Sequence, residues 1–209
     1  YSIEKFLIAR RLMYWQVYFH KTVIAAENLL LQVLRRAKFV AITDPDIYAT
    51  EPLKYFLTHP PEKKDVIPCS EEALVHFINL DDDDIMVSAK AWIHHSDRLL
   101  SLLSANLIYR ILPRVKISDA PFDPSRVNEL KKETARIHQV STEDVDYMVY
   151  SGLISNKAYS DQYDTIRIFY NNGAMKDLSE ASDIFHLQNL METKKKYFLC
   201  YPKGLGFNY

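Results

Sequence analysis

Two cations and two phenols share one face of the first helix written by this sequence. On a wheel with Arg10 at zero, Lys21 falls at about 20°, Tyr14 at about 40° and Tyr18 at about 80°. Such a face suits a nucleotide. Guanidinium and ammonium groups meet phosphate oxygens, and a tyrosine ring stacks on a base or sugar. A solvated face with interfacial tyrosines would use the same residues, as would cations paired with the carboxylates of a neighbouring helix. Spacing alone leaves all three readings open.

Other candidate groups read more plainly. The run Asp81 to Asp84 has the acids of a metal site but lacks the glycine and alternating oxygen ligands of a calcium loop. Acids that open a helix and are stabilised by its dipole are the better reading. His94 and Asp97 share a helical face at i, i+3, yet neither a second histidine at i+4 nor a carboxylate-rich partner helix accompanies them. They are expected to be solvated or hydrogen-bonded, so no metal ligand is assigned. Cys69 and Cys200 form no C-x-x-C pair and have no neighbouring histidine signature, which suggests a reduced, cytoplasmic chain without a cysteine nucleophile. No catalytic residue is assigned.

The elements that must position the first face are glycine-poor. The chain has four glycines, where roughly fifteen would be average, and the first of them is Gly152. Phosphate-cradling loops of the G-x-G-x-x-G or G-x-x-x-x-G-K-[ST] type are therefore excluded, as is a G-x-S-x-G hydrolase elbow. One helix is predicted from about Ser2 to Val40, with Phe6, Met13, Val17, Ile24 and Leu31 on a common stripe. A short helix follows at Glu51 to Thr58, and Ser70 caps another through Asn79. A second long helix is predicted from Asp83 to Leu112.

From Pro113 the pattern changes. Arg114 to Ile117 alternates like an edge strand, and Ser125 to Gln139 returns to helix. Asp144 to Ile154 and Lys196 to Tyr201 read as strands, and Thr165 to Leu178 as a hairpin turning at Asn171-Asn172-Gly173. A capped helix is expected from Ser179 or Ser182 to Met191. The fold class is thus α+β: a long-helix lobe over residues 1–112, then a small antiparallel sheet with packed helices over residues 113–209. Net charge is -1 at pH 7, which gives no reason to expect nucleic acid as a partner, and no apolar run approaches a membrane span. The chain begins at Tyr1, already inside a helical pattern and without methionine, and so reads as part of something longer.

The run Ile3 to Thr22, with its core Arg10-x(7)-Tyr18-x-His20-Lys21, resembles the long helix that follows the HD domain in HD-superfamily phosphohydrolases. The resemblance is to the bacterial branch related to deoxynucleoside triphosphate triphosphohydrolases and the mammalian SAM-and-HD-domain dNTPase. It continues through Leu80 to Lys116, where an L-D-D-D-D-I helix ends in R-I-L-P-R-V-K. It extends again over Thr142 to Lys203, from E-D-V-D-Y-M-V to Y-F-L-C-Y-P-K. About three quarters of the chain is covered, and residues 39–79 match least.

The resemblance implies that Arg10 faces a substrate triphosphate and that Tyr18 packs on the nucleoside. Phe19 stands in the substrate site where the mammalian enzyme has glutamine. It further implies that His20 and Lys21 approach an allosteric nucleotide between subunits. The family's metal ligands include a His-Asp dipeptide, and none of the seven histidines here precedes an aspartate. A divalent metal, Mn, Mg or another, is therefore expected in an HD domain outside this chain. The implied function is the C-terminal part of a metal-dependent phosphohydrolase acting on (deoxy)nucleoside triphosphates, inactive by itself and assembling as a homo-oligomer. The alternative is a non-catalytic oligomerisation or regulatory module that binds nucleotide without turning it over.

Overall fold

The computed structural model describes residues 2–59, 70–156, 166–178 and 194–205. The fold is α+β. Helices α1 (Ser2–Met13), α2 (Lys21–Thr43), α3 (Glu51–Thr58), α4 (Glu71–Asn79), α5 (Asp82–Trp92) and α6 (Arg98–Ile108) precede strand β1 (Arg114–Ser118). Helix α7 (Pro124–His138) and strands β2 (Tyr150–Asn156), β3 (Arg167–Phe169), β4 (Met175–Asp177) and β5 (Lys194–Tyr201) complete the order. The helix expected from Ser179 or Ser182 to Met191 lies outside the described residues, as do Cys69 and Gly206.

Two long helices of the sequence reading are each broken. Residues 2–40 are interrupted by a π turn at Tyr14–Tyr18, and α2 starts afresh at Lys21. The expected stripe dissolves with it: Phe6, Met13, Val17 and Leu31 are exposed and Ile24 is buried. The buried face of α2 is instead Leu29, Val33, Ala37 and Val40, with Gln32 and Arg36 among them. The run Leu29-Leu30-Leu31 is apolar all round, so its pattern cannot say which side faces inward.

The second break separates α5 from α6. His94 and Asp97 therefore do not share a helical face: Asp97 is the N-cap of α6, accepting from Leu100 N–H at 2.7 Å. The acid run behaves as its chemistry suggests. Asp81 caps α5 by accepting from the N–H groups of Asp83 and Asp84 at 2.9 and 3.1 Å, and Asp84 returns the favour to the Asp81 N–H at 2.9 Å. That is a reciprocal capping box. Ser70 caps α4 through the Ala73 N–H at 3.1 Å.

Contacts divide the chain into two compact units. The first comprises Tyr1–Ile24, Val115–Pro124 and Ser151–Leu199. Most of a three-stranded sheet, in the order β1-β5-β2, belongs to it, as does the antiparallel pair β3-β4 in the register Arg167↔Asp177. The β3-β4 turn closes through the Gly173 N–H on the Tyr170 carbonyl at 2.9 Å, with Gly173 at a φ of 80°. A side chain would be strained there, which is why the turn ends in glycine. In β2, Gly152 lies under the Phe198 ring of β5: a Cβ at that position would come within 2.6 Å of two ring carbons.

The second unit comprises Ala25–Arg114, Ser125–Tyr150 and Cys200–Tyr209. Its core gathers Leu29, Val33 and Ala37 of α2, Leu53 and Leu57 of α3, and Trp92 and Leu100 of the α5 and α6 region. Trp92, fully buried, donates its indole N–H to the Tyr48 carbonyl at 2.7 Å, so its one polar atom is satisfied. Asp144–Tyr147 forms a 3-10 turn before β2 rather than the strand the sequence suggests. The turn places the Asp144 carboxylate on the buried Arg36.

Candidate functional site

In the first unit, α1 ends in the π turn. The Tyr14 carbonyl accepts from the Phe19 N–H, five residues on, at 2.7 Å, and the Val17 carbonyl accepts from the His20 N–H at 3.2 Å. A π turn amounts to one extra residue within a helix, and such turns recur at functional sites. Four aromatic rings cluster along it. The Tyr14 and Tyr18 rings lie 5.0 Å apart, and Tyr14 and Phe19 5.9 Å apart. Trp15 meets Phe19 edge-on at 5.2 Å.

Cations flank the rings. The Arg10 guanidinium carbon is 5.9 Å from the centre of the Tyr14 ring, and the Lys196 ammonium of β5 is 5.5 Å from Trp15. Arg10 and Tyr18 are exposed and Phe19 is half-buried. An exposed guanidinium beside the half-buried Tyr14 ring, with the exposed Tyr18 ring 5.0 Å from Tyr14, can hold phosphate oxygens and offer a ring for stacking. The array thus draws on Arg10, Tyr14, Tyr18 and Phe19.

His20 and Lys21 belong to the start of α2. The His20 carbonyl accepts the first bond of that helix, from the Ile24 N–H at 3.0 Å. Its imidazole Nδ1 accepts from the Thr22 N–H at 3.3 Å, so this ring serves as an N-cap. Lys21, the first residue of α2, is exposed.

A second cluster, in the second unit, is one for which no role is expected from the sequence. Arg36, 8% exposed, donates from Nε and Nη2 to the two oxygens of Asp97 at 3.1 and 2.7 Å, and from Nη1 to Asp144 at 2.7 Å. Its guanidinium also lies over the rings of Phe39 and Tyr147 at 5.0 and 5.5 Å. Burial opposes the charge on Arg36, but the Asp97 hydrogen bond and the attraction of Asp97 and Asp144 raise its pKa above the ordinary arginine value. Burial likewise pushes Asp97 upward, and the bonds from Arg36 and the Leu100 N–H more than offset it, holding the carboxyl below its usual range. With three N–H donors spent on two carboxylates, this guanidinium holds structure together. The signal that could have found it is an arginine on the apolar face of α2.

Burial raises the Cys200 thiol to about 12 and the Tyr150 phenol beside it further still. Both stay protonated near neutrality, and such a thiol is inert as a nucleophile. Among the described residues no group of three His, Cys, Asp or Glu side chains stands close enough to hold a metal ion, so these residues do not fit a metal centre. Nor is any described helix long and apolar enough to cross a membrane.

The chain superposes on the crystal structure of a phosphohydrolase from Bacteroides thetaiotaomicron VPI-5482 with a TM-score of 0.86 and 37% sequence identity. The match covers 97% of this chain and 50% of that one. In sequence and in fold, the chain is similar to half of a phosphohydrolase. It is also 27% identical over 213 residues to the uncharacterized protein YwfO of Bacillus subtilis (strain 168), covering 98% of this chain and 46% of YwfO. The chain therefore spans about half the length of the relatives it matches. No family model matches it.

Proposed function

We propose that this chain is the C-terminal part of a cytoplasmic, metal-dependent HD phosphohydrolase acting on (deoxy)nucleoside triphosphates, and that it supplies one wall of the substrate site. The observation that carries the reading is the Arg10–Tyr14–Tyr18 array, in which the exposed Arg10 at the end of α1 and the exposed Tyr18 of the π turn flank a half-buried Tyr14, in a chain similar to a phosphohydrolase. In this reading Arg10 holds the triphosphate, Tyr18 packs on the nucleoside and Phe19 shapes the sugar or base contact. His20 and Lys21 approach a second nucleotide at a subunit interface. A divalent metal, held by residues outside this chain, would supply an activated water or a polarised phosphate. By itself the chain is inactive.

The test uses the full-length protein with Mn²⁺ or Mg²⁺ and a panel of dNTPs. Arg10→Ala and Tyr18→Ala should each lower kcat/KM at least about tenfold, an interaction worth roughly 1.4 kcal/mol in the transition state. Full activity in both variants would remove these residues from the site.

A second reading rests on exposed apolar surface. Phe6 is 64% and Leu12 51% exposed on α1, and Phe77 is 66% and Ile78 72% exposed on α4. Such surface suits a homo-oligomer or regulatory module that binds nucleotide without hydrolysing it. Sedimentation with and without dGTP separates the cases, since a monomer indifferent to nucleotide contradicts the module.

A further inference from the structure

An open cleft of about 140 Å³ lies within the second unit. Leu29, Leu103, Leu112 and Met148 supply apolar wall. Asn106, His138 and Lys203 supply polar groups, and no carboxylate is among the lining residues. Lys203 is exposed and its ammonium is the one full charge on the lining. His138 is half-buried, and burial lowers its pKa, leaving at neutral pH an imidazole with one donor and one acceptor. The volume resembles the roughly 150 Å³ of an apolar cavity able to take up benzene. A triphosphate does not suit this lining: it needs several cations, and the cleft offers a single lysine.

We propose that this cleft binds a small aromatic monocarboxylate, with the ring against the apolar wall and the carboxylate toward Lys203 and His138. An apolar body with one anionic end matches both the lining and the size, and a few placed polar groups are what give such a cleft its orientation preference. The inference does not depend on the nucleotide reading, because none of the residues of the π turn lines the cleft.

The probes are benzoate, its neutral isostere benzamide, and acetate, which has the head without the ring. Each is titrated into the chain while the His138 imidazole resonance is followed by NMR. Benzoate should shift that resonance saturably and bind at least tenfold tighter than either of the others. Lys203→Met, a change at an exposed position, should bring benzoate down to the level of benzamide. Absence of a saturable shift, equal binding of the three probes, or benzoate binding unchanged by Lys203→Met would each overturn the proposal.

Discussion

Arg36 grips both carboxylate oxygens of Asp97, at 2.7 and 3.1 Å, and thereby ties the middle of α2 to the first residue of the α6 cap. Asp97 is doing two jobs at once, since the oxygen that accepts from Arg36 Nε also accepts from the Leu100 N–H. Arg36→Met should therefore cost about 3 kcal/mol or more. The variant strands Asp97 and Asp144 near each other in a half-buried setting, and breaking such a pair costs far more than the pair contributes. Urea denaturation at neutral pH measures the loss. A change below about 0.5 kcal/mol would mean that water screens the cluster far more than its burial suggests.

The same carboxylate gives stability a pH dependence. The folded pKa of Asp97 is lowered, so its contribution is fully present above the unfolded value of about 3.9 and is lost as pH falls through the folded one. Asp97→Asn should be less stable at neutral pH and should show a shallower decline in acid. Denaturation midpoints followed from pH 6 downward, roughly to pH 3, check the slope.

His138 titrates in a separate window. Burial lowers its folded pKa, so the unfolded chain takes up the proton first as pH drops below about 6.5. Stability should then decrease on acidification from there toward the folded value. His138→Gln should flatten that part of the curve without altering the acid limb set by Asp97. An unchanged slope in the variant would show that His138 is solvated.

Gly152→Ala tests the β2-β5 contact. The new methyl would fall 2.6 Å from two carbons of the Phe198 ring, which is buried and has little room to retreat. A cost of about 1–3 kcal/mol is expected, larger than the few tenths gained by stiffening the unfolded chain. Adding Phe198→Leu should recover part of the loss, making the two changes clearly non-additive.

Removing Gln16, an exposed residue of the π turn, should restore an ordinary helical register. Helix content by circular dichroism should hold, while dNTP turnover by the full-length protein should fall at least about tenfold. Retained turnover would mean that the turn's placement of Tyr18 relative to Arg10 and Tyr14 has no part in the chemistry.

Much of the fold was legible because its signals are local. Ser70 and the Asp81–Asp84 run announce their helices, and Asn171-Asn172-Gly173 announces its turn, each through groups within three residues of one another. The interruptions were not legible. A π turn needs neither glycine nor proline, and differs from its surroundings by one shifted hydrogen bond. The break before Asp97 is likewise unmarked by either residue, and its cap is held by Arg36, 61 positions away. At the candidate site, residue types pointed to Arg10 and Tyr18, but the wheel that grouped them with Lys21 assumed a continuous helix. The π turn keeps the tyrosines together and gives His20 to the cap of α2.

That turn has a consequence for comparing sequences. In an alignment, its extra residue is a single gap, the kind usually slid to the nearest convenient place. A homologue without it would carry the same letters for arginine and tyrosine yet present them about 100° out of phase. Matching letters on either side of such a gap would then be false equivalences.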